Sequence, residues 1–193
     1  MRDLKPKKYL GQHFLKDSNI SKKISTSLIS KSSQTIIEIG PGMGILTQHL
    51  ISKKTQTYFV ELDKDSISYL NKIFPKIKKS IIHSDFLKID LTKFNSPIGL
   101  IGNFPYNISS QILFKMIENR DRIDELVGMF QLEVAKRVCS KPGSKTYGIL
   151  SVLVQAFYNT ELLFELDPSC FNPPPKVDSG VIRLNKKKHV KLD

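Results

Sequence analysis

Short β-branched and apolar runs alternate along this chain with stretches whose apolar residues recur every three or four positions. The runs read as buried strands and the stretches as amphipathic helices. Ile20, Ile24 and Leu28 share one face of a helix over 18–30, which Asp17 or Ser18 caps. A turn follows at Ser32, Ser33 and Gln34. The strand 35–39 then runs straight into Gly40-Pro41-Gly42-Met43-Gly44, after which Ile45, Leu46, His49 and Leu50 take up helical spacing. A second strand covers 57–63. Asp63-Lys64-Asp65 opens a helix with Ile67, Leu70, Ile73 and Phe74 inward, and Pro75 stops it. A third strand covers 80–83. The fourth, 98–102, ends at Asn103.

Ser109 and Ser110 cap the next helix, to Glu118, with Ile112, Leu113, Met116 and Ile117 inward. A strand at 126–130, a helix at 131–140, an exposed basic loop at 141–145 and a helix at 148–156 follow. Two strands, 160–166 and 177–184, flank a rigid loop. Phe171 is expected to project from that loop before Pro173-Pro174-Pro175, whose extended preference holds it at low entropic cost. Lys186-Lys187-Lys188 reads as a solvated tail. Strands alternating with helices make an α/β protein with a mostly parallel, doubly wound sheet.

Composition narrows the picture. The 193 residues suit one domain, and 40% hydrophobic content can bury a core. No apolar run reaches the roughly 18 residues of a membrane span. The first residues, Met1 to Lys8, lead into no apolar signal segment. Cys139 and Cys170 are too few and too isolated for a disulfide framework or a zinc site, so no metal is expected and a cytoplasmic setting is simplest. Thirty Lys and Arg against 18 Asp and Glu give a net charge of +12. That excess favours a polyanionic partner such as nucleic acid; the bland alternative is a lysine-rich solvated surface.

Four patterns carry candidate chemistry. Gly40, Gly42 and Gly44 form G-x-G-x-G between a strand and a helix, a nucleotide-site arrangement. Ile45 stands where a dinucleotide fingerprint needs glycine, and no Gly-Lys-Ser/Thr follows, which excludes a phosphate-cradling Walker loop. Glu61 ends the second strand roughly 20 residues later, where a carboxylate accepts from ribose hydroxyls. Asp85-Phe86 ends the third strand and fits either an adenine site or a helix cap. Asn103-Phe104-Pro105-Tyr106 ends the fourth, with Pro105 stiffening the turn. The Asn103 side-chain oxygen and the Phe104 carbonyl can take the two hydrogens of a planar base's exocyclic amine. Its lone pair is then drawn out of conjugation toward an electrophile, while Tyr106 stacks on the ring. The alternative is a strand-to-loop turn with a buried Tyr. In the basic arm, Gln12 and His13 sit among Leu10, Phe14 and Leu15. That suits a segment folded over a ligand, touching it with His13 and the backbone near Leu15, or one merely docked by Phe14 and Leu15. All four patterns fall at the carboxyl edge of the strands, where such sheets bind ligands.

Leu10-Gly11-Gln12-His13-Phe14-Leu15, Glu38-Ile39-Gly40-Pro41-Gly42-Met43-Gly44, Glu61-Leu62-Asp63, Asn103 to Ser109, Gln131 to Ala135 and Phe171 to Ser179 together resemble the ribosomal RNA adenine N6,N6-dimethyltransferases of the KsgA type, relatives of the erythromycin-resistance methylases. The resemblance spans nearly the whole chain. It implies a Rossmann-like class I methyltransferase fold with a seven-stranded sheet, and S-adenosylmethionine as methyl donor. The implied targets are two adjacent adenosines near the 3′ end of small-subunit rRNA, modified by a monomer during ribosome biogenesis. It divides the chain into an arm, 1–18, closing over the cofactor, and a catalytic domain, 19–193. It places the cofactor against His13, Leu15, Gly40, Gly42, Glu61, Leu62, Asp85, Phe86 and Asn103. It gives the target amine to Asn103 and the Phe104 carbonyl and the base to a sandwich of Tyr106 and Phe171, and with Pro105 of the same loop these are the expected catalytic residues. Many members have Asn where this chain has His13, and Leu where it has Phe104. Members usually continue into a small helical domain, whereas these residues end just after the seventh strand. The rival readings are a large-subunit rRNA methylase conferring macrolide resistance, a non-catalytic assembly factor and a small-molecule methyltransferase.

Overall fold

The computed structural model describes residues 4–29, 33–52 and 54–188. Its elements are β1 (Phe14–Leu15), α1 (Ser18–Thr26), β2 (Thr35–Ile39), α2 (Thr47–Leu50), β3 (Gln56–Glu61), α3 (Lys64–Ile73), β4 (Ile81–His83) and β5 (Ile98–Asn103), then α4 (Ser109–Glu118), β6 (Ile123–Gln131), α5 (Leu132–Val138), α6 (Ile149–Phe157), β7 (Tyr158–Leu166), β8 (Phe171–Asn172) and β9 (Ser179–Lys186). Seven strands form one sheet in the order β4-β3-β2-β5-β6-β9-β7. The first five are parallel; β9 runs antiparallel to both neighbours. The α/β, doubly wound reading therefore holds.

Register brings the loop chemistry together. Ile39 stands opposite Val60, Glu61 opposite His83, Glu38 opposite Ile101 and Asn103 opposite Met129. Parallel strands in this register end at one edge, so Gly40, Leu62, Ser84 and Phe104 all leave the sheet on the same side. The strands at its centre are apolar on both faces, as expected where helices cover both. One face packs Ile37, Leu100, Leu126 and Ile182 against Ile112, Leu113 and Met116 of α4. The other packs Ile36, Phe59, Ile101, Val127 and Val181 against Ile24 of α1 and Leu50 of α2.

Several elements differ from the sequence expectation. Asp17 caps α1 by accepting from the amides of Asn19 and Ile20, but the helix stops at Thr26. The Ser25, Thr26 and Ser27 hydroxyls bond back to the Lys22 and Lys23 carbonyls there, competing with continuation. Ser30 and Ser32, in the expected helix end and turn, lie outside the described residues. Ile73 is 41% exposed rather than inward; α3 buries Ser66 and Leu70, and Ile117 of α4 is only half-buried. The tail is not wholly solvated. Lys187 donates its amide to the Phe157 carbonyl (2.9 Å) and its ammonium to the Gln155 carbonyl (2.6 Å).

Two buried features lead to tests. The Phe104 ring lies edge-on to Phe130, with centroids 5.1 Å apart, and fills the space that Gly128 leaves. A β-carbon on Gly128 would stand 2.0 Å from that ring, and one on Gly102 2.6 Å from the Ile39 carbonyl oxygen. Gly128→Ala should therefore cost about 1–3 kcal/mol through overpacking. Thermal denaturation should show a melting temperature lower by roughly 3–10 °C. The second feature is Glu38, buried in β2 with its carboxylate accepting from the Thr47 hydroxyl at 2.7 Å. Burial pushes its pKa up to about 8, with Glu61 adding to the rise and Thr47 opposing it. A carboxyl that holds its proton in the fold but loses it when unfolded makes stability fall as pH rises from its ordinary value toward 8. Denaturant melts of Glu38→Gln across that window should show a flatter pH dependence than the unsubstituted protein.

Candidate active site

The glycine loop and Glu61 form the floor. Gly40, Gly42 and Gly44 have φ of 67°, 53° and 77°, a left-handed backbone that side chains strain. Glu61 is buried at the end of β3. Its Oε2 accepts from the Gly42 amide at 3.0 Å, and its Oε1 from the Leu62 and Asp63 amides at 2.9 Å each. Burial raises its pKa, and these three donors hold the rise back. Of a carboxylate's roughly four acceptor sites, three are engaged and one on Oε2 remains for a hydroxyl donor.

The arm forms the roof. Lys7 is ion-paired with Asp63 and, at 2.6 Å, with Asp65. Burial disfavours ionised Asp63, but Lys7, Ser66, the Asp65 amide and Gln12 together hold its pKa below the usual carboxylate value. Phe14 and Leu15 pair as β1 with Asn172 and Phe171 of β8, a two-stranded sheet separate from the main one. The arm reaches the glycine loop closely: a β-carbon on Gly42 would stand 2.9 Å from the Phe14 ring. Gly42 thus makes room for the arm, while a β-carbon added at Gly40 would have only Pro105 within 4 Å among the described residues, which leaves space beside the cavity.

The wall is the Asn103 loop. Asn103 Nδ2 donates to the His13 carbonyl at 2.7 Å. A carbonyl only accepts, so the amide orientation is settled and Oδ1 is left as the acceptor. His13 Nδ1 donates to the Pro173 carbonyl at 2.8 Å. The His13 ring stacks on Tyr106, with centroids 5.6 Å apart and planes 27° apart. The Tyr106 hydroxyl is bonded to Ser179 Oγ at 2.5 Å, and burial pushes its pKa up. Asp85 accepts from the Leu87 amide at 2.9 Å and opens a short 3-10 turn over Phe86–Lys88. Asp85 thus caps a turn, as one of its two sequence readings expected, and it also lines the cavity.

One cavity is lined by His13, Gly40, Gly42, Glu61, Leu62, Asp85, Phe86, Asn103, Phe104, Pro105 and Tyr106. Two expected residues stand outside it. Phe171 does not project; it is 1% exposed, because pairing with Leu15 turns it into the core beside Val181 and Ile24. Leu15 is 5% exposed in the same cluster, and alternation along β1 gives the cavity to Phe14 instead. Gln12, Ser84 and Asn107 also line it. Gln12 and Asn107 stood in recognisable motifs, but nothing local marks Ser84. Among the described residues no group of His, Cys, Asp and Glu could hold a metal ion, and no helix is long and apolar enough to cross a membrane.

Residues 3–193 match a family described as ribosomal RNA adenine dimethylase. The chain is 53% identical over 194 residues to the ribosomal RNA small subunit methyltransferase A of Flavobacterium johnsoniae, covering all of this chain and 74% of that protein. It is 52% identical over 198 residues to the same-named protein of Cytophaga hutchinsonii, covering 77% of it. The crystal structure of a dimethyladenosine transferase from Plasmodium falciparum superposes with a TM-score of 0.80 at 32% identity, over 91% of this chain and 64% of that one. That of the 23S rRNA methyltransferase ErmE gives 0.80 at 26% identity, over 93% of this chain and 72% of that one. A sheet whose carboxyl edge gathers a buried glutamate, an Asp-Phe pair and an oriented Asn-Phe-Pro-Tyr loop thus agrees with sequence similarity over the whole of this chain, and the chain belongs to the ribosomal RNA adenine dimethylase family.

Proposed function

We propose that the cavity holds S-adenosylmethionine beneath the arm of residues 4–18 and that the Asn103 loop presents to it the N6 amines of two adjacent adenosines near the 3′ end of small-subunit rRNA. The chain is an S-adenosylmethionine-dependent rRNA methyltransferase, matched over its full length at about 50% identity by small-subunit methyltransferases. That identity favours the small-subunit target over the large-subunit one. The lining fits the cofactor: a buried carboxylate with one acceptor site left, an aspartate beside a phenyl ring, and glycines with open space. All these residues come from a single chain, which suits a monomer. Unpaired Cys139 and Cys170 and a ribosomal substrate suit the cytoplasm.

S-adenosylmethionine, when bound, supplies an electrophilic methyl group on its sulfonium. Glu61 accepts from the ribose diol, and Asp85 from the adenine amine beside Phe86. Asn103 Oδ1 and the Phe104 carbonyl take the two hydrogens of the target amine, which aims its lone pair at the methyl group. The Tyr106 ring, its hydroxyl anchored by Ser179, carries the target base. Phe171 acts beneath the arm by holding β1, not as the second half of a sandwich. The orientation of the Asn103 amide is the observation that carries this reading, because only Oδ1 toward the cavity can accept from an amine.

Methyl transfer to immature small subunits but not to large-subunit RNA tests the target; the reverse preference would overturn it. Glu61→Ala should weaken S-adenosylmethionine binding by at least about tenfold, since a charge-assisted hydrogen bond is worth roughly 1.5–3 kcal/mol. The same change leaves the Gly42, Leu62 and Asp63 amides without their acceptor, so a lower melting temperature should accompany it. Unchanged calorimetric affinity would sink the assignment.

Asn103→Ala should lose about a hundredfold or more in turnover at saturating cofactor, the scale of removing one preorganised polar group from a reacting centre. Single-turnover methylation of rRNA by the folded variant measures this. A normal rate would show that the amine is held by other groups.

A further inference from the structure

Lys115 lies outside the cavity, two turns into α4. Its ammonium donates to the Leu87 carbonyl at 2.9 Å and the Ile89 carbonyl at 2.7 Å, and stands 5.7 Å from the centre of the Phe86 ring. A helix-surface lysine ordinarily keeps its charge in water. This one is half-buried and commits two of its three donors to a single loop. Burial lowers its proton affinity, against the pull of Glu118, Asp85 and Asp90. The loop it holds carries one end of the site. The Leu87 amide donates to Asp85 Oδ1 at 2.9 Å, so Leu87 is gripped at its carbonyl by Lys115 and at its amide by Asp85. The helix that carries Lys115 begins at Ser109, three residues after Tyr106 of the Asn103 loop. One side chain therefore ties the loop bearing Asp85 and Phe86 to the helix that follows the Asn103 loop.

We propose that Lys115 is a positioning residue that fixes Asp85 and Phe86 against the purine of the methyl donor, and so sets the site's preference for a 6-amino over a 6-oxo purine. The inference rests on the cofactor reading above. A carboxylate accepts from a 6-amino group and is repelled by a 6-oxo group, but both effects need its position held. Without the ammonium, the Leu87 and Ile89 carbonyls must turn toward water. The loop moves with them, and Asp85 loses its aim at the purine edge.

Calorimetry on the full chain with S-adenosylhomocysteine and with its 6-oxo counterpart, S-inosylhomocysteine, tests this. Lys115→Met should bind the 6-amino compound at least about tenfold more weakly, the scale of one lost charge-assisted hydrogen bond. Its affinity for the 6-oxo compound should hardly change, so the preference collapses. Lys115→Arg, which keeps charge and donors, should restore most of it. Should Lys115→Met fail to fold, Lys115→Ala, which likewise has no donor, is read in the same way. An intact preference in the folded variant, at whatever absolute affinity, would show that Lys115 only supports the fold and would overturn the inference alone. Failure of the unsubstituted chain to bind S-adenosylhomocysteine would overturn the cofactor reading and this inference together.

Discussion

A side-chain amide has a donor end and an acceptor end, and in Asn103 the His13 carbonyl takes the donor end at 2.7 Å. The rest of the site depends on that one bond. It requires His13 to be held over the end of β5, and the holding is done elsewhere. The β1–β8 pairing fixes the backbone on one side of His13, the Pro173 carbonyl takes its ring nitrogen, and Lys7 fastens the arm to Asp63 and Asp65. With the amide turned the other way, two carbonyl dipoles would face each other and the cavity would meet a donor where the proposed target amine needs an acceptor.

The charges divide in a way that suits the chemistry. The chain carries a net +12, yet two carboxyl side chains, Glu61 and Asp85, line the cavity. That division suits the proposed placing of a cationic sulfonium compound in the cavity and a polyanionic RNA outside it, and the basic 141–145 loop is exposed. Burial disfavours the charged form of Glu38 and Glu61, and amide or hydroxyl donors counter it at each. At Asp63 the counterweight is chiefly a full positive charge from Lys7, which makes that carboxylate an anchor for the arm rather than a ligand group.

The fold alone does not decide the substrate. The Plasmodium falciparum dimethyladenosine transferase and the 23S rRNA methyltransferase ErmE superpose on this chain with the same TM-score, 0.80. What separates the readings is sequence identity, 53% and 52% with two small-subunit methyltransferases over the whole chain.

The alternation of short apolar runs with helical spacing determined the sheet, its parallel part and the edge where the chemistry gathers, because a strand buried on both faces is apolar at most of its positions. Glu61, Asp85 and Asn103 were legible for the same reason: each is a polar residue at the end of such a run, where the chain leaves the core. Contacts between distant segments were not legible. Two residues, Phe14 and Leu15, are too short a run to announce a strand, and their partner lies more than 150 residues away. That pairing buries Phe171 where proline stiffness predicted a projecting ring, and it hands the cavity to Phe14 in place of Leu15. The stacking of His13 on Tyr106, the bond from Tyr106 to Ser179 and the grip of Lys115 on the Asp85 loop likewise join side chains that no local pattern links. Sequence periodicity records which way a residue faces within its own element; which residue it meets there is decided only when the elements pack.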